Sequence, residues 1–173
     1  MSLIKKNENL LNIQYLFEDF PCVKKEDLIK YIERSSSFSN NKTGEEILSE
    51  ALRKLPIEKT NGGYIRVKYT ETDRTIATAF KLFSQLKSDN LIYASPARFP
   101  YDYVFSTKEY IIPVIIYNHQ GVQKILHHNL VDTNKMFPLE IQLFIAISND
   151  LDDRYYEELQ SLKIVGNYKI IKI

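Results

Sequence analysis

Residues 143–147, LFIAI, are five apolar side chains in a row. A strand points successive side chains to opposite faces, so a run without a polar position requires cover on both faces. The run is far short of the ~20 residues that a membrane-crossing helix needs, so the cover must come from the protein itself. The segment around it, EIQLFIAIS (140–148), is nearly all apolar after its first three residues and predicts a central strand in a layered sheet. The flanking segments supply the layers. Residues 119–129 carry Val122, Ile125 and Leu126 and predict a helix weakened by Gly121. Residues 150–162, DLDDRYYEELQSL, make a stripe of Leu151, Tyr155, Leu159 and Leu162, with three Asp in the first turn, where the helix dipole favours them. YKIIKI at the end reads as a strand, as do LIYAS (91–95), YDYVF (101–105) and EYIIPVIIY (109–117). Pro113 cannot donate to a ladder, so its strand is expected at an edge or with a bulge. Strand and helix alternate at the end of this series, which implies parallel pairing with helices covering the sheet.

The first half has a different period. Leu10, Ile13, Leu16, Phe17 and Phe20 predict a helix over 8–20, interrupted by Pro21. Leu28, Ile29 and Ile32 predict a second over 24–34. After the polar loop SSSFSNNKT (35–43), Ile47, Leu48, Ala51, Leu52 and Leu55 predict a third over 44–55, with Thr43 as its cap and Pro56 as its stop. Then comes IEKTNGGYIRVKY (57–69), a hairpin. A three-residue loop at Asn61-Gly62-Gly63 sets Ile57 against Val67 and Lys59 against Ile65. That register gathers Ile57, Ile65, Val67 and Tyr69 on one side and Glu58, Thr60, Tyr64, Arg66 and Lys68 on the other. A two-residue loop would carry Ile57 to the polar side, so the hydrophobic pattern selects the longer loop. A fourth helix over 73–88 turns Ile76, Ala79, Phe80, Phe83 and Leu86 inward. The expected fold class is α+β, with one domain over 1–72 and a small α/β domain over 73–173.

Helix, helix, loop, helix, hairpin is the order of a winged helix, in which the third helix meets the major groove and the hairpin lies on the backbone. Candidate contacts with double-stranded DNA are Lys42 and Thr43 at the helix start, where a phosphate could sit, then Ser49, Arg53 and Lys54 on the outer helix face. Lys59, Tyr64, Arg66 and Lys68 are candidates on the wing. Glu45, Glu46 and Glu50 share the outer face of the helix and repel phosphate, and Glu58 lies opposite Arg66. The alternative is an adaptor whose winged helix meets protein and no nucleic acid.

Composition narrows the chemistry. There are 23 Lys+Arg against 22 Asp+Glu, a net charge of +1 that favours no partner class. Cys22 is the one cysteine, so no internal disulfide forms; a packed thiol in a cytoplasmic protein is expected. The N-terminus, MSLIKKNENLL, lacks the apolar stretch of a secretory signal. Adjacent His127 and His128 diverge by about 100° on a helix, and with His119 and one distant cysteine they do not suggest zinc. No glycine-rich phosphate motif is present. No catalytic residue, metal, cofactor or membrane partner is expected.

From 73 to 147, helix, three strands, helix and strand resemble the restriction-endonuclease-like core. That fold holds a divalent metal with an Asp and an acidic-x-Lys set. Pro100-Tyr101-Asp102 resembles the first half of the signature, but the next strand, IIPVIIY, carries neither acid nor lysine. Glu140-Ile141-Gln142 is on the wrong strand and has no lysine. Nuclease activity is therefore not expected, and Asp102 is expected as a solvated strand-edge residue. Taken together, KKEDLIKYI, TNGGYIRV, and YDYVF followed by EYIIPVIIY resemble the replication-relaxation group of plasmid and integrative-element proteins, in order and pattern over residues 8–170. The resemblance implies a DNA-associated role in replication, transfer or transcriptional control of a mobile element. Residues 73–173 would then hold a protein partner or a second copy of the chain.

Overall fold

The computed structural model describes residues 7–38, 41–86, 91–107, 110–131, 142–149 and 151–173. Residues 39–40 of the serine loop, 87–88 of the expected fourth helix, Glu109, Glu140, Ile141 and Asp150 lie outside the described residues. The chain is α+β and divides into two compact units, Met1–Phe80 and Lys81–Ile173. The division falls inside a helix.

The first unit runs α1 (Glu8–Asp19), β1 (Cys22–Lys24), α2 (Lys25–Arg34), α3 (Gly44–Lys54), β2 (Ile57–Lys59) and β3 (Tyr64–Val67), and then enters α4 (Arg74–Leu86). Local chemistry sets the helix ends. The Asn7 side chain accepts from the Leu10 N–H at 3.4 Å and caps α1. The Phe20 N–H returns to the Leu16 carbonyl at 2.8 Å, which closes α1 ahead of Pro21. Thr43 and Glu46 form a reciprocal capping box at the start of α3.

The hairpin has the expected register: Ile57 pairs with Val67 and Lys59 with Ile65. Gly63 takes φ 77 in the three-residue loop, a conformation glycine adopts without steric cost. A strand that periodicity did not indicate, β1, joins the hairpin along β3, with Val23 opposite Ile65, and makes an antiparallel sheet of order β1-β3-β2. Val23, Ile65 and Ile57 turn into the core, together with Ile13, Phe17, Leu28, Ile47, Leu48 and Ala51. Tyr69 does not join them. The strand ends at Val67, and Tyr69 lies beyond it with φ 67 and a fully exposed side chain.

The second unit contains the end of α4, then β4 (Leu91–Pro96), β5 (Tyr103–Thr107), β6 (Ile111–Tyr117), α5 (Gly121–Leu130), β7 (Leu143–Ile147), α6 (Asp153–Ser161) and β8 (Tyr168–Lys172). Its sheet has the order β4-β5-β6-β7-β8. The first three strands are antiparallel; β6, β7 and β8 are mutually parallel and are linked through α5 and α6. The LFIAI run is an interior strand with every residue buried. On one face Leu143, Ile145 and Ile147 pack with Ile115, Tyr117, Ile125 and Leu159. Toward the other face, Phe83 of α4 meets Phe105 edge-on at 5.5 Å.

Two local expectations are corrected. Pro113 is buried in β6, the middle strand of the five, rather than at an edge. It sits opposite Val104, and parallel pairing with β7 begins one residue later at Val114, so the missing N–H falls outside that ladder. Gly121 does not weaken the interior of α5; it is the first residue of the helix, and a Cβ there would overlap the ring of Tyr117. Among the described residues, no helix is long and apolar enough to cross a membrane.

Candidate nucleic-acid interface

The candidate contact residues all lie in the first unit, on α3, the segment before it and the hairpin. At the start of α3, Glu46 Oε2 accepts from the Thr43 N–H at 2.8 Å and lies 3.1 Å from the Thr43 hydroxyl, while the Glu46 N–H reaches Thr43 Oγ1 at 3.3 Å. These bonds hold the Glu46 carboxyl below its usual range. Thr43 is thus engaged by a carboxylate at the place where a phosphate was expected.

Lys42 and Lys54 converge on a single acid. Lys42 Nζ lies 2.7 Å from Glu50 Oε2 and Lys54 Nζ 2.6 Å from Glu50 Oε1. The Asn7 side-chain amide donates to the same Oε1 at 3.0 Å, joining the cap of α1 to α3. Glu50, which the helical pattern places on the outer face, is therefore only 13% exposed at its side chain. Hydrogen bonds from Lys42, then Lys54, pull its carboxyl down to about 2. Lowering a carboxyl on folding adds stability above the unfolded-state value, and that stability disappears as pH falls through the folded-state value. Glu50→Gln is accordingly expected to remove part of the acid sensitivity between pH about 4.5 and about 2. The check is the pH midpoint of acid unfolding followed by circular dichroism, compared with the unsubstituted chain.

The remaining cations divide into two groups. Arg66 directs its Nε and Nη2 at Glu58 Oε1, at 3.0 and 2.9 Å, in the cross-strand pair set by the register. Lys25 Nζ meets Glu45 Oε1 at 2.7 Å. Arg53 is exposed, with its Nε 3.3 Å from the Ser49 carbonyl one turn back, and Ser49 is exposed. Lys59 and Lys68 are exposed and, among the described residues, have no acidic partner; Tyr64, which lies between them in sequence on β3, is half-buried. The arrangement leaves Arg53, Lys59 and Lys68 open to an outside anion, and it occupies Lys42, Lys54 and Arg66 internally. Tyr69 is the residue that the hydrophobic pattern missed, because an apolar side chain at an alternating position reads as inward. The bend after Val67 is what turns it out.

In the second unit, Asp102 is not a solvated edge residue. Lys124 of α5 places its Nζ 2.7 Å and 2.8 Å from the two Asp102 oxygens, and the Ile116 N–H donates to Asp102 Oδ2 at 2.7 Å. The side chains are 6% and 14% exposed for Lys124 and Asp102. Nearby in the fold, His128 Nε2 lies 3.0 Å from the Val165 carbonyl, and the Tyr101 hydroxyl 3.0 Å from His128 Nδ1. A carbonyl only accepts, so Nε2 carries a hydrogen and donates it to Val165. Tyr117 donates to Glu158 at 2.8 Å, and burial, then that carboxylate, pushes its phenol up. Burial also pushes the Cys22 thiol up, as fits a packed side chain. Among the described residues no group of three or more His, Cys, Asp or Glu is arranged to hold a metal ion. Compared with family models, curated proteins and solved structures, the chain matches none.

Proposed function

We propose that this chain is a non-enzymatic protein that binds double-stranded DNA through its first unit, with α1, α2 and α3 as the body of a winged helix and β2–β3 as the wing. The observation that carries this reading is the pair of exposed lysines on the hairpin, Lys59 and Lys68, which have no acidic partner among the described residues. Arg53 on α3 adds a third available cation. Three helices with an antiparallel sheet of order β1-β3-β2 in the same unit support the winged-helix description. The second unit, in this reading a degenerate nuclease-like sheet, offers a platform for a protein partner or a second copy. The likeness of KKEDLIKYI and TNGGYIRV to replication-relaxation proteins supports work on a mobile element, in replication, transfer or transcriptional control.

A second reading, an adaptor that meets protein and no nucleic acid, is favoured by the internal pairing of Lys25, Lys42, Lys54 and Arg66. Salt dependence separates the two. Three phosphate contacts predict that log affinity for duplex DNA falls against log salt with a slope of about −2.7. Changing Lys59 and Lys68 together to Ala should make that slope shallower by about 2. A chain that is not retained on duplex DNA at low salt would leave the adaptor reading in possession.

A further inference from the structure

Tyr69 combines two properties that the fold does not explain. Its backbone takes φ 67, a region that a bulky L-residue enters only at a cost. Its side chain is 100% exposed, so no packing within the chain compensates. At the other two left-handed positions among the described residues, φ 77 and φ 90, the chain carries Gly63 and Gly166. The turn itself is held by backbone bonds that do not need the phenol ring. The Lys68 N–H meets the Pro56 carbonyl at 2.9 Å, the Thr70 N–H meets the Val67 carbonyl at 3.2 Å, and the Thr70 hydroxyl donates to the same carbonyl at 2.7 Å. Glycine or asparagine at 69 would suit the turn better than tyrosine. Strain retained at an exposed position points to a contact outside the chain.

We propose that Tyr69 is a DNA-contact residue, its ring packing against deoxyribose and base edges beside the phosphate that Lys68 meets. The inference rests on the DNA-binding reading above and adds to it a neutral contact that charge alone does not reveal. An aromatic ring held out by a fixed turn buries a large area on binding and loses little conformational freedom in doing so. Its neighbour Lys68 is exposed and, among the described residues, has no acidic partner, so ring and cation are presented from consecutive residues.

The test is Tyr69→Asn, since asparagine tolerates the left-handed region, measured by urea unfolding and by duplex-DNA affinity at several salt concentrations. The expected result is an unfolding midpoint no lower than that of the unsubstituted chain, an affinity reduced about tenfold, and an unchanged salt slope, because no charge is removed. Tyr69→Phe should keep most of the affinity. If the unsubstituted chain binds duplex DNA and Tyr69→Asn binds equally well, the Tyr69 contact is refuted and the DNA-binding reading stands. A lowered unfolding midpoint would make Tyr69 a structural residue and overturn the inference too. Failure of the unsubstituted chain to bind duplex DNA overturns both.

Discussion

Replacing Lys124 by methionine is expected to lower the unfolding free energy by about 3–5 kcal/mol, the cost of leaving one member of a buried ion pair without its partner. The ammonium lies 2.7 and 2.8 Å from the Asp102 oxygens and 3.4 Å from the Ile116 carbonyl, and it is nearly sealed from solvent. Methionine fills much the same volume, so the penalty comes from the orphaned carboxylate and not from a cavity. In the double variant Asp102→Asn with Lys124→Met, the asparagine carbonyl still accepts from the Ile116 N–H, and no buried charge remains. It should lose clearly less than the sum of the two single changes, because a buried pair taken as a whole contributes little net stability. Urea unfolding of the four proteins gives the cycle. Strict additivity would mean that Asp102 and Lys124 do not act as a pair. The site expected to resemble half of a nuclease signature is, on this account, a bolt between α5 and the start of β5.

In the first unit the largest expected loss is at Phe80. Phe80→Ala should cost about 3–5 kcal/mol, the range for removing a buried aromatic side chain from a core. Phe80 is 0% exposed, and its ring meets those of Phe20 and Tyr31 edge-on at 5.4 and 5.6 Å. Tyr31 in turn meets Phe38 at 6.1 Å, so one side chain of α4 anchors residues from the end of α1, from α2 and from the loop after it. Tyr15→Ala is the natural comparison. That ring is 54% exposed on α1, and its removal should change stability by no more than about 0.5 kcal/mol. Thermal or urea unfolding of both variants decides the matter. Equal midpoints would mean that Phe80 is not the anchor its burial implies.

The elements of this fold follow from short-range patterns. Helical periodicity marked the six helices of the described residues, and apolar runs marked the strands of the larger sheet. The turn chemistry of Asn61-Gly62-Gly63, with the alternation on either side, specified the hairpin register to the residue. The alternation of strand and helix after residue 111 specified the parallel pairing of β6, β7 and β8. These features are legible because each depends on residues a few positions apart: a side-chain period, a cap, a left-handed glycine.

Other features depend on partners that are distant along the chain. The strand β1 is three residues long, too short for a periodic signal, and exists because β3 offers it a ladder. Pro113 is tolerated in a middle strand because the neighbouring pairing starts just beyond it. Glu50 meets the Asn7 side chain 43 positions away, and Asp102 meets Lys124 22 positions away.

The sequence by itself therefore determined the helices of the described residues, the hairpin with its register, the strands of the larger sheet and the parallel run of the last of them, since those depend on local sterics and on the burial of apolar faces. Only the tertiary structure decided which charges are available. An ion pair forms wherever the folded backbone brings two long side chains together, and no local period encodes that meeting. Of the candidate cations, the fold occupied Lys42, Lys54 and Arg66 and left Arg53, Lys59 and Lys68 open, with Tyr69 held out next to the last of them.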